Sequence, residues 1–101
     1  MGIQYLDRVK QPYEELLRYM DFVDRIATGD TIASCPITAT DIEGTDATAA
    51  LITGPTALSG TKVYYTLKGG VHGMDYKVSF KAVSTAGASV EEDLMVNVRE
   101  E

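Results

Sequence analysis

The stretch KVYYTLKGGVHGMDYKVSFKAVS, residues 62–84, decides the fold. Its first run puts Val63, Tyr65 and Leu67 on one side of an extended chain and Lys62, Tyr64, Thr66 and Lys68 on the other. The second run puts Tyr76, Val78, Phe80 and Ala82 inward and Lys77, Ser79 and Lys81 outward. Successive side chains of a strand point to opposite faces, so alternation with period two predicts two half-buried strands. Gly69, Gly70 and Gly73 lie between them, and an STAG turn ending at Gly87 follows. Glycine reaches positive φ without a Cβ clash, so these positions read as structural turns. Beyond the turn, EDLMVNV aligns Leu94, Val96 and Val98. Pattern alone therefore gives a three-stranded meander.

Upstream, GDTIASCPITA reads as a strand with Ile32 on one face and Cys35, Ile37 and Ala39 on the other. The face changes partway, and Pro36 offers no ladder donor, which predicts an edge position or a bulge. Gly29 and Asp30 read as the turn before it. A weaker strand, TAALIT at residues 48–53, is expected between the polar loop DIEGTD and a turn at GPTALSGT. Short strands at this spacing indicate a sandwich or a barrel. The segment PYEELLRYMDFVDRI fits a helix, with Pro12 first and Leu16, Met20 and Val23 at helical spacing, and fits an opening strand equally well. Residues 1–11 read as a loosely held arm.

The 101 residues make one domain, able to hide roughly 65% of the unfolded surface. Nine Lys and Arg against fifteen Asp and Glu give a net charge of −6, which repels phosphate backbones and anionic lipid, so neither nucleic acid nor membrane is an expected partner. No window has the length of a signal core or a membrane span, so synthesis in the cytoplasm is expected. The single cysteine, Cys35, excludes an internal disulfide and reads as a buried thiol.

Residues that invite chemistry have plainer readings. His72 sits in the glycine-rich corner and reads as a solvated loop residue. Asp41, Glu43 and Asp46 lack the spacing of an EF-hand loop. Asp21 and Asp24 read as a bend that caps itself rather than an acid–base pair, and no serine stands in a Gly-x-Ser-x-Gly elbow. Neither an enzyme nor a cofactor or metal site is expected. Tyr5, Tyr13, Tyr19 and Tyr64 exceed the needs of one small core and are candidate interface residues, because tyrosine joins apolar area to a hydrogen-bonding tip.

Taken in order, Lys10 and Pro12, then Tyr19, Asp21, Phe22 and Asp24, then Gly29-Asp30-Thr31-Ile32, then Gly69, Gly70, Gly73 and Tyr76, then Thr85 and Gly87, resemble the landmarks of the bacteriophage fiber-tail adaptor family. Those are small phage and prophage virion proteins. Many members carry a tryptophan near the opening strand; this chain has none, leaving Phe22 or Ile26 to fill that volume. The resemblance implies an all-β fold, an immunoglobulin-like antiparallel β-sandwich over residues 12–99 behind a loosely ordered N-terminal arm at 1–11. It tips the opening segment toward a strand at about residues 16–23. It also implies a virion structural protein that attaches fiber to tail by docking, with other phage tail or fiber proteins as partners and a homo-oligomer as a further expectation. A carbohydrate-binding sandwich that recognises cell-surface glycans is the alternative.

Overall fold

The computed structural model of the chain describes residues 2–5 and 15–99. It is a mostly β protein of two sheets packed face to face. One sheet joins β2 (Leu16–Asp21), β6 (Lys62–Leu67) and β5 (Ile52–Ser59) in the order β2-β6-β5. The other joins β1 (Gly2–Tyr5), β8 (Ser89–Asn97) and β7 (Asp75–Ser84), with β3 (Ile32–Ser34) and β4 (Ile37–Asp41) sharing the far side of β7. Among the described residues all strand pairings are antiparallel except β1 with β8.

The alternation that marked the meander is the alternation of burial. Val63, Tyr65 and Leu67 of β6, Tyr76, Val78, Phe80 and Ala82 of β7, and Leu94 and Val96 of β8 all enter the core, joined by Val98. Tyr65 and Phe80 meet across the two layers with ring centroids 4.9 Å apart and planes at 62°, the edge-to-face geometry that aromatic quadrupoles favour. Burial pushes the Tyr65 hydroxyl up to about 12 and the Cys35 thiol up to about 11.

Residues 16–21 form a strand, not a helix. Its inward set is Leu16, Arg18 and Met20, continued by Phe22, which is fully buried and supplies the aromatic volume; Ile26 packs at the core margin. The break at Cys35-Pro36 divides one edge into β3 and β4, with a register shift between Ile32 and Ser34. That shift lets Ile32, Cys35, Ile37 and Ala39 all reach the core despite their parity. The donor-free Pro36 faces outward there, and its carbonyl still accepts from Lys81 N–H at 3.1 Å.

The segment 48–61 departs from expectation. Thr48–Leu51 is a single helical turn that buries Leu51, and β5 then runs through the predicted turn to Ser59. Gly54–Pro55 is a cis peptide inside a bulge between Thr53 and Ala57, and the chain reverses only at Gly60 and Thr61. Gly and Pro mark a close approach here rather than a reversal: a Cβ on Gly54 would lie 3.1 Å from Tyr65 Cβ.

The ends of the sandwich are closed differently. At the glycine corner, Gly69 and Gly70 have φ of +56° and +95°, and Gly73 donates its N–H to Val98 O at 2.9 Å. Tyr76 stands beneath the corner. There its hydroxyl oxygen accepts from Val71 N–H at 3.0 Å. At the opposite end Asp30 clasps two loops, since its Oδ1 accepts from Thr31 N–H at 2.8 Å and Ala86 N–H at 3.2 Å. Thr31 and Thr85 hydroxyls, 2.8 Å apart, complete the clasp beside the Gly87 turn.

Candidate docking surface

Residues paired across strands share a face, so the β2–β6–β5 register fixes what that sheet shows to solvent. Tyr19 lies opposite Tyr64, Leu17 opposite Thr66, and Asp21 opposite Lys62; on the other side of β6, Ala57 faces Tyr64 and Thr53 faces Thr66. On the inner side Met20, Val63, Tyr65 and Leu67 are buried, whereas Leu17 is 69% exposed and Tyr19 52%. The Tyr19 and Tyr64 rings stand 5.6 Å apart at 49°, and Lys62 Nζ lies 4.8 Å above the Tyr19 ring, within cation–π range. Asp21 is occupied: its Oδ1 accepts from Thr61 Oγ1 at 2.7 Å and from Val23 N–H at 3.0 Å. The middle of the face is thus a tyrosine pair with apolar and hydroxyl neighbours, with the Lys62 ammonium laid against the Tyr19 ring.

The other tyrosines are elsewhere. Tyr5 belongs to β1, opposite Met95 in the five-stranded sheet, and Tyr13 lies outside the described residues. The carboxylates serve loops. Asp41 Oδ1 accepts from Glu43 N–H at 2.9 Å and Thr45 N–H at 3.0 Å. Asp46 accepts from Thr48 Oγ1 at 2.6 Å and Thr48 N–H at 3.0 Å, and the Thr48 hydroxyl and then its backbone N–H hold the Asp46 carboxyl below its usual value. His72 is exposed in the glycine corner. Among the described residues, no group of three or more His, Cys, Asp or Glu is placed to hold a metal ion.

Two features escaped the sequence reading. Arg25, in the bend after β2, pairs with Glu92 of β8 and donates to Glu91 O at 3.3 Å. Glu92 has the parity of Leu94 and Val96, so a carboxylate on an apolar face was the available signal. The second is Leu17, whose companions became visible only once β2 was known to be a strand.

Residues 10–97 match the family model described as podophage GP4 fiber-tail adaptor protein gp77. The chain belongs to this family. The match takes in both sheets except β1, and with them the whole Tyr19–Tyr64 face. Membership makes a phage tail adaptor role and a place in the virion the setting for that face. Among curated proteins, no match was found.

Proposed function

We propose that this adaptor-family chain works by docking and not by turnover, joining fiber to tail through the outer face of β2–β6–β5. The observation that carries the reading is the Tyr19–Tyr64 pair on the solvent side of the sheet, with Tyr19 and the neighbouring Leu17 exposed. Interface centres are enriched in tyrosine in the same way. The partners are other tail or fiber proteins. The 49° tilt between the rings gives no single flat platform for a sugar, which favours protein over glycan.

The framework proposed for this docking is a single immunoglobulin-like domain over residues 12–99, with residues 1–11 as a separate arm. Supporting it are the orders β2-β6-β5 and β4-β7-β8-β1, the two-sheet division of that fold, and Tyr76 near the start of β7 bonded to the backbone five residues upstream.

The test is incorporation of a Tyr19→Ala, Tyr64→Ala chain into tails, alongside binding to purified tail and fiber proteins. Loss of at least about tenfold in affinity is expected, the scale of one interface hot spot, with unchanged circular dichroism. Wild-type incorporation and affinity would remove this face from the reading.

A further inference from the structure

We infer that β5 is the edge through which the chain pairs with a second copy of itself. β5 ends its sheet, Thr53 to Ser59 are exposed, and among the described residues none of them has a backbone partner beyond β6. The edge of β4 is covered by contrast: Ala39 O accepts from Ala47 N–H at 2.8 Å, and Asp41 N–H donates to Thr45 O at 3.0 Å. Uncovered edges are usually blunted by charged side chains, by proline or by a bulge. β5 has Pro55 and its bulge in the first half only, and no charged residue stands anywhere from Ala47 to Thr61. With a net charge of −6, two copies of the chain repel on average. Here two copies meet without like charges facing, so the neutral edge is matched to itself.

The regular part of β5 is Ala57, Leu58 and Ser59, in register with Tyr64, Val63 and Lys62. A two-fold axis at Leu58 sets Leu58 against Leu58 of the second copy and Ala57 against its Ser59, which keeps every side chain on its own face and leaves Pro55 beyond the ladder. Leu58 shares the side of the fully buried Val63 yet is 39% exposed. The opposing leucine covers that exposed surface. The two three-stranded sheets become one of six strands, and their two Tyr19–Tyr64 pairs lie on one continuous face. Two linked faces bind a repetitive partner more tightly than either alone.

Leucine 58 provides the test, separately from the tyrosines. Opposed residues of an antiparallel pair have Cα atoms about 4.5–5.5 Å apart, which a disulfide can span. A Leu58→Cys chain should therefore form a covalent dimer under mild oxidation, while the parent, whose Cys35 is buried, and Val83→Cys, exposed on β7, form no covalent dimer. Sedimentation of the unmodified chain should show a concentration-dependent dimer that strengthens with salt as acidic repulsion is screened, and Leu58→Asp should shift it to monomer with the circular-dichroism spectrum retained. A dimer indifferent to Leu58→Asp overturns the inference. So does equal cross-linking at positions 58 and 83, or a chain monomeric at every soluble concentration. If a monomeric chain loses fiber or tail binding on Leu58→Asp, the edge receives a different protein and self-pairing is likewise overturned.

Discussion

A Cβ on Gly70 would stand 2.8 Å from Val98 Cγ2 and 3.4 Å from Leu51 Cδ1, whereas one on Gly73 would meet nothing within 4 Å. Both residues have positive φ, so alanine at either position is strained, but only at Gly70 is it also crowded. Gly73→Ala should cost about 1–2 kcal/mol in urea unfolding and Gly70→Ala about 2–4 kcal/mol, the difference arising from overpacking. Equal costs would show that backbone conformation alone governs the corner. At the other end, hydrogen bonding from the Ser84 hydroxyl first, then from Thr31 and Ala86 N–H, holds the Asp30 carboxyl below its ordinary 3.8. A folded value below the unfolded one stabilises above the unfolded pKa, and that contribution disappears as the pH falls through the folded value. The melting-temperature gap between the parent and Asp30→Asn should accordingly be widest near neutrality and close below pH 3.8. The glycines and Asp30 were legible as turn residues. What Asp30 clasps was not, because Ser84 and Ala86 are distant in sequence and reach it only when the sheets pack.

At the scale of elements, β6, β7 and β8 were readable because their large apolar residues recur with period two, with Glu92 the one polar residue on the apolar side of β8. β2 was ambiguous for a physical reason: its inward set includes Arg18, while Leu16, Met20 and Val23 also fit a helical stripe. Family resemblance resolved what periodicity left open. β5 was unreadable past Ile52 because almost all of it is exposed, and an edge with no buried face leaves no alternation to find. The same limit applied to the proposed docking surface: a surplus of tyrosine was visible, but the meeting of Tyr19 and Tyr64 depends on the β2–β6 register. The Arg25–Glu92 pair ties the bend after β2 to β8, and the Glu92 side chain is only 8% exposed. Arg25→Met should destabilise the fold by about 2–3 kcal/mol, less than for a fully buried pair because Arg25 keeps contact with water; Arg25→Met with Glu92→Leu should recover most of it. Chemical denaturation of the two variants decides, and a double mutant no better than the single would mean that Glu92 is held mainly by other groups.

For the whole molecule, one shared core predicts one transition. Near-ultraviolet dichroism, which reports packing around Tyr65 and Phe80, should be lost together with the far-ultraviolet β signal, and two separate midpoints would indicate sheets that melt independently. The parallel pairing of β1 with β8 has a mechanical consequence. Gly2, Ile3, Gln4 and Tyr5 lie beside Glu92, Asp93, Leu94 and Met95, so tension applied between the start of β1 and the end of β8 runs along both strands and loads their hydrogen bonds together, in shear. The β7–β8 hairpin pulled at its open end would instead unzip one bond at a time. In single-molecule stretching, the first direction should require the greater rupture force. A part that tethers an appendage against fluid drag gains by taking the strain along that axis.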